Sequence, residues 1–547
     1  MKERIAVGRF LSLLGVAGAL GTAGCNVPRA DDINTVQPGY VRKDIFQDES
    51  EWHYRRTVVE SETVQSVVTE GAGDIFIERV VFEVQEDLLI ARKANAAIPG
   101  SALDLLLEGN DDYQGVILAA WPISYHFDII RDYNTLTGRE TNRIVENTVD
   151  RPWYEREYMR VDFANNLVDD SFFGSLAFGS PSFMNWIATG GYWQDLQTNP
   201  IDPFASRFSD DYVEITDNVM IGMDTWTCLL FTSFSYWGYG NCGFGEAKMR
   251  HSFKKITEPS DFVPRYYPDS VVVRGEDGEP IQNPETGEVE REPIFDRFGY
   301  FRFTTPTYDR GYGFTEEGRT FRAMIFNIWE NSRDEEGNPL PYAQREEKPI
   351  IYYLNTEYPA RYRDTARRVA AEYNRVYKSM VADLKGVPVD QVRDMFEIRD
   401  NDCNESNIIG TVVENPQLFY AVERAVCAEG EICNLDNSDM DAMVAGLEEQ
   451  IGVGNLKEVC TSLESATLDP TTGESGFQWQ RVGDLRYNMV VWLDNPQLTG
   501  WGGYGPMHAD ALTGETISAT SYLKAVTYER AAATIADYIC FINDEEG

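Results

Sequence analysis

At Lys348 the pattern of this chain changes, and that change limits what it can fold into. Before it, short β-rich runs follow one another between turn residues. After it, Pro349-Ile350-Ile351-Tyr352-Tyr353-Leu354 reads as a buried strand and leads past Pro359 into a long helical pattern. Tyr362, Ala366, Val369, Tyr373, Val376, Met380 and Leu384 recur at three- and four-residue steps, the spacing of one helix face, until Gly386 ends the helix. Residues 348–547 are therefore expected to form an α/β unit behind a β-rich N-terminal half, which makes the chain an α+β multidomain protein. Its 547 residues exceed what one core serves, and 43% hydrophobic content is enough to fill several.

In the N-terminal half, Thr57-Val58-Val59, Phe76 to Val84 and Val116 to Trp121 are strand-like and are separated by Gly, Asn and Asp, predicting a β-rich domain over residues 51–149. Residues 150–256 interleave glycine with aromatic rings, as in Gly190-Gly191-Tyr192-Trp193, and predict a second, irregular β domain whose rings pack on one another. Residues 257–347 read as a connecting region: Asp277-Gly278 and Thr286-Gly287 mark turns, and Pro264, Pro268, Pro280, Pro284 and Pro293 limit regular structure.

Lys2, Arg4 and Arg9 precede an apolar run from Phe10 to Leu20 that is too short to span a bilayer, and small residues lead to Cys25. The sequence predicts a leader over residues 1–24, export, and lipidation of Cys25, with residues 25–50 as a tether. A lipid on Cys25 would hold the protein at the bacterial cell envelope, at the outer membrane. The 48 Lys+Arg against 89 Asp+Glu give a formal net charge of −41, which repels polyanions and excludes nucleic acid as a partner.

Export permits disulfides. Cys228 and Cys242 flank a short aromatic segment and form a candidate pair; Cys403, Cys427, Cys433 and Cys460 allow three connectivities. Cys540 is left over, on the apolar face of a C-terminal helix with Ala532, Ile535, Ala536, Ile539 and Ile542, and is expected to be a buried thiol. Residues 390–475 form a cysteine-bearing insert with a helix from Met440 to Ile451. Asp436, Asp439 and Asp441 lack the glycine and terminal glutamate of a calcium loop, so capping of that helix by Ser438 or Asp439 is the better account.

Two strand patterns, Arg486 to Leu493 and Glu515 to Leu523, enclose the glycine-rich Trp501-Gly502-Gly503-Tyr504-Gly505-Pro506. As a hairpin they would offer an open edge to an extended peptide. The four histidines, His53, His126, His251 and His508, lie far apart, and no His-Glu-x-x-His helix, nucleophile elbow or phosphate loop occurs.

The succession Phe298 to Arg302, Gly313-Phe314-Thr315-Glu316, Asn327-Ile328-Trp329, the strand and helix from Pro349 to Met380, Asp484 to Asn488, Tyr504-Gly505-Pro506 and Thr513 to Ile517 resembles large bacterial secreted zinc metalloproteases, the metzincin-like proteins with an EcxA-type zinc-binding domain. The resemblance implies that residues 348–547 are the upper, strand-helix-strand subdomain of a zincin-like fold: a twisted sheet carrying a long helix, with an edge strand that pairs with the backbone of a peptide or protein substrate. Thr516, Ile517 and Ser518 would begin that edge, and Tyr504, Gly505 and Pro506 would be the loop beside it. The family's H-E-x-x-H-x-x-G-x-x-H is absent from these residues, so no zinc ligand or general base is carried over. Zinc is expected only with a further C-terminal segment bearing that motif. Three expectations follow: the N-terminal portion of a longer metalloprotease, a pseudoenzyme lipoprotein, or an unrelated adhesive or scaffolding lipoprotein.

Overall fold

The computed structural model describes residues 32–61, 70–71, 77–95, 115–168, 184–192, 194–223, 245–257, 261–294, 301–308, 318–426, 439–452, 454–494 and 502–543. Twelve strands form one N-terminal sheet: β1 (Ile33–Asn34), β2 (Val41–Arg42), β3 (Glu51–Ser61), β4 (Glu78–Val84), β5 (Leu88–Lys93), β6 (Ile117–Tyr133), β7 (Glu140–Asn147), β8 (Tyr158–Val161), β9 (Met184–Tyr192), β10 (Arg207–Phe208), β11 (Tyr212–Met223) and β12 (Gly245–Lys255). The long β6 pairs first with β5, then with β8 and finally with β7, a change of partners that turns the sheet around its core. Alternation at period two builds that core: Trp52 and Tyr54 on β3, Ala119, Trp121 and Ile123 on β6, and Val213 and Ile215 on β11 point inward together.

Two expected boundaries dissolve in this sheet. β3 pairs with β12 along most of its length, so residues 51–149 and 150–256 share one hydrogen-bonded ladder rather than forming two domains. A shift in composition does not mark a boundary when the second half supplies the backbone partners that the first half lacks. The expected tether is also built in: β1 pairs with β7, β2 pairs with β8, and Ile45 and Phe46 are buried in the core.

The connecting region holds two antiparallel pairs, β13 (Ser270–Val272) with β14 (Arg291–Pro293) and β15 (Arg302–Pro306) with β16 (Arg319–Ala323). Next, β17 (Ile325–Phe326) joins a C-terminal sheet made with β18 (Ile350–Leu354), β19 (Phe396–Arg399), β20 (Asn488–Leu493), β21 (Gly503–Tyr504), β22 (Met507–Ala509) and β23 (Glu515–Lys524). The set β17-β23-β20-β18-β19 is parallel throughout, and β21 and β22 run antiparallel to β23. The mixed α/β C-terminal half behind a strand-rich N-terminal half agrees with the α+β class expected from sequence.

Helix α1 (Ala360–Lys385) starts after Pro359 and stops at Gly386, whose φ of 69° lets its N–H reach back to the last carbonyls. Its orientation departs from the expected stripe. Ala366, Ala370, Val381 and Ala382 are buried, whereas Val369, Tyr373, Val376, Met380 and Leu384 are exposed, because the small alanines allow the closer approach to the sheet. The insert is a helical cluster of α2 (Glu405–Glu414), α3 (Phe419–Val426), α4 (Met440–Gln450) and α5 (Leu456–Ala466), and Asp439 caps α4 through Ala442 N–H at 2.8 Å. Asp436 and Ser438 lie outside or at the margin of this account: neither is among the described residues.

Cys403 and Cys460 form a disulfide across 57 residues in the middle of this cluster. Cys228, Cys242, Cys427 and Cys433 lie outside the described residues, as does Cys25. Closing a loop of that size removes roughly 4 kcal/mol of chain entropy from the unfolded state. A Cys403→Ala/Cys460→Ala chain is therefore expected to unfold at markedly lower urea concentration than the oxidised chain; matching urea midpoints would refute the bridge's contribution.

The last helix, α6 (Ala525–Ile542), has the expected bounds but not the expected burial. Only Ala525 is buried; Ile535, Ile539 and Ile542 are exposed, and Cys540 is half-exposed, because no described element covers the helix beyond its first turn. No helix among the described residues is long and apolar enough to cross a membrane.

Candidate functional site

The segment between β20 and β23 carries the candidate site. These two strands are parallel neighbours, in register from Met489↔Thr520 to Leu493↔Lys524, and so do not form the expected hairpin. Buried β-branched and aromatic residues on both strands favour a central position, with Met489, Val491, Leu493 and Tyr522 packed on one face of the sheet. β23 is consequently not an edge: β20 pairs with it on one side, and β22 and β21 on the other. The outermost position belongs to β21 and β22, three or fewer residues each, as expected of edges that avoid unwanted pairing.

The six candidate residues are brought together, in altered roles. Tyr504 pairs opposite Tyr522, stacks on its ring at 4.9 Å, and donates its hydroxyl to the Glu70 carbonyl at 3.4 Å. Gly505 and Pro506 separate the two short strands, and the Pro506 carbonyl accepts the Thr520 N–H at 3.1 Å. Ser518 faces His508 and Thr516 faces Ala509, which leaves Ile517 as the extra residue of a β-bulge. Beyond β22 the described chain makes a single bridge, Ile77↔Asp510, so the N-terminal sheet pins one end of this edge.

Asp510 secures that end. It is 2% exposed, receives Arg79 Nε at 2.9 Å, stands 3.8 Å from His53 Nε2, and caps its own turn through Leu512 N–H and the Thr513 hydroxyl. Burial pushes its carboxyl up, but the hydrogen bonds and charge of Arg79, with His53 nearby, outweigh burial and hold it well below the usual carboxylate range. Burial pushes the His53 imidazole down, against the pull of Asp510. The turn ends at Gly514, with φ of 81° and an absent Cβ that would sit 2.3 Å from the Ala323 carbonyl oxygen. Gly514→Ala is therefore expected to cost about 2–4 kcal/mol, from the left-handed backbone and the clash together, read as a lower thermal midpoint. An unchanged midpoint would show that the turn can relax.

A second constellation, which sequence reasoning missed, fills the seam between the two sheets. The face of the N-terminal sheet opposite its core carries Glu214 and Thr216 on β11 and Arg250 and Ser252 on β12, and this polar face is buried against residues 481–486. Leu485 N–H donates to the Ser252 hydroxyl at 3.3 Å, and Arg250 donates to the Val482 carbonyl. Glu214 stands 2.9 Å from Arg250, 3.3 Å from Arg481 and 3.4 Å from Arg207; Glu464 of α5 receives both Arg207 Nε and Nη2 at 2.9 Å, and Asp484 pairs with Arg486 at 2.9 Å. Burial pushes the Glu464 carboxyl up, against the pull of Arg207. The only local signal was Glu214 between Val213 and Ile215, the pattern of an ordinary solvent-facing position.

No group of three or more His, Cys, Asp or Glu among the described residues is arranged to hold a metal ion. No family model, curated protein or solved structure matches this chain.

Proposed function

We propose that this chain is an exported lipoprotein of the bacterial envelope, anchored through Cys25, that carries the substrate-holding half of a zincin-like domain and grips an extended polypeptide along β21 and β22. The observation that carries the proposal is the mixed sheet, in which two short antiparallel strands lie outside a parallel set that bears the long helix α1. An extended peptide adds to such an edge through main-chain hydrogen bonds, and the half-buried Tyr504 ring, stacked on the buried Tyr522, supplies an apolar contact beside it. Hydrolysis is not assigned to these residues, because the 547-residue sequence contains no His-Glu-x-x-His to hold zinc and activate water. A zinc-dependent cut would need ligands from a further segment.

The test is amide exchange on the purified chain with short fluorescein-labelled peptides. Exchange should slow over residues 503–509 when peptide binds. Protection confined to other segments would refute the edge, and stoichiometric zinc with chelator-sensitive proteolysis would refute holding without cutting. For the anchor, Cys25→Ala should release the protein from membranes; a variant that stayed membrane-bound and processed as before would count against lipidation.

A further inference from the structure

Helices α1 and α6 carry the same hydrophobic repeat. On α1, Tyr362, Ala366, Val369, Tyr373, Val376 and Met380 recur at alternating steps of four and three, and on α6, Ala525, Tyr528, Ala532, Ile535, Ile539 and Ile542 recur at steps of three and four. A repeat that averages 3.5 residues is the seam by which one helix packs along another, and on a straight helix it drifts by about 20° every seven residues away from the surface it starts on. Both seams do start inside the protein. Tyr362, Ala366 and Ala525 pack with Trp492, on which Tyr528 stacks at 6.0 Å, and Arg361 stands 3.8 Å from Glu529. Past this shared root both are open: Val369 is 48% exposed and Val376 60%, Ile539 53% and Ile542 75%, so the two helices do not cover each other within one copy.

The open area is that of an interface. With Leu384, Tyr538 and Phe541 beside the seams, the exposed apolar side chains of the two helices present on the order of 1,000 Å² per copy, taking about 200 Å² for a large side chain that is fully exposed. A standard interface buries about 800 Å² per partner, and the largest apolar patch of an ordinary monomer is about 300–600 Å². Charge then selects the pairing. In a chain of net charge −41, α1 has seven Lys+Arg against three Asp+Glu, and Arg361, Arg368 and Arg375 each precede a seam residue, which makes one flank of its seam a row of arginines. Two copies of α1 would set those rows against each other. Past Glu529 the residues beside the α6 seam are Ala531, Ala536 and Tyr538, which oppose no charge to arginine and offer it an aromatic ring. One chain therefore supplies both halves of a contact that it does not make with itself.

We propose that two copies of this chain pair reciprocally, α6 of each lying along the open α1 seam of the other. The contact occurs twice about a two-fold axis, so it closes on itself and the assembly stops at a dimer. Pairing of α6 with α6 alone would leave the α1 stripe in water, whereas the reciprocal arrangement covers both.

Light scattering over a dilution series of the whole chain is the test, and the parent should be a dimer. Val369→Glu/Val376→Glu on α1 and, in a separate chain, Ile535→Glu/Ile539→Glu on α6 change only exposed side chains, so each should keep the parent's near-ultraviolet circular dichroism while weakening the dimer at least about a hundredfold. Mixed in equal amounts, the two variants should associate, because the α6 of the first and the α1 of the second are intact and form one of the two contacts. Amide exchange of the parent provides a measurement that needs no variant: protection over residues 369–384 and 528–542 should rise together with concentration. A parent that is monomeric at every concentration, an α1 variant that remains a dimer, a mixture that stays monomeric, or protection of α6 only on phosphatidylglycerol vesicles would each overturn the proposal.

Discussion

Glu214→Gln is expected to cost on the order of 5 kcal/mol at neutral pH, enough to unfold a marginal protein. Glu214 is fully buried and is the one carboxylate in contact with Arg207, Arg250 and Arg481 together, while also accepting the Tyr212 hydroxyl at 3.0 Å. Glutamine preserves volume and removes charge, leaving four guanidinium groups against Glu464 and Asp484. Removing one partner of a buried pair typically costs 3–5 kcal/mol because the survivor has lost its water and its counter-charge. Here three survivors share the loss. Adding Arg481→Met should recover part of the stability, since it removes one uncompensated cation and keeps an unbranched apolar stem near Trp479. Urea unfolding of the two chains checks this: a single variant within 1 kcal/mol of the parent, or a double variant weaker than the single, would show that the cluster is screened by solvent.

Local elements were legible because local chemistry decides them. Gly386 at the end of α1, Asp439 at the start of α4 and the strands beginning at Ile350 and Glu515 follow from caps, prolines and alternation within a few residues. Pairing was not legible, because strand partners are chosen at long range. β20 and β23 could have been a hairpin on sequence grounds and are parallel neighbours. β3 finds β12 some 201 residues away, as the His53↔Lys254 pairing shows.

Faces were the least legible. On β11 the alternation of Val213 and Ile215 with Glu214 and Thr216 reads as one buried and one wet side, yet both sides are buried. The converse holds on α1 and α6, where apolar stripes around Tyr373 and Ile539 are exposed. Of the candidate site, the six named residues lie together in the fold, and the edge expected at β23 lies one strand further out, at β21 and β22. The Arg79 to Asp510 lock and the arginine cluster became visible only when the two sheets were brought face to face.

That lock makes the second large effect, and it depends on pH. The folded pKa of Asp510 lies below its unfolded value of about 3.9, so the stability it contributes is complete above roughly pH 4 and is lost as pH falls through the folded value. His53 and His126 are lowered by burial, so protonation favours the unfolded chain and stability declines as pH falls below about 6.5. Acid weakening should therefore come in two stages, first from the histidines and then from Asp510. At pH 7, Asp510→Asn is expected to cost about 4 kcal/mol, because Arg79 and its neighbour Glu51 keep their places while the buried anion is gone. The gap between parent and variant reports Asp510 together with its pull on His53, since Asp195, Asp217 and Glu464, which burial pushes up, titrate in both chains. That gap should close as pH falls below 4. A gap constant from pH 7 to pH 3 would mean that the carboxylate charge is not what locks the edge to the N-terminal sheet, and that turn capping at Leu512 and Thr513 carries the effect.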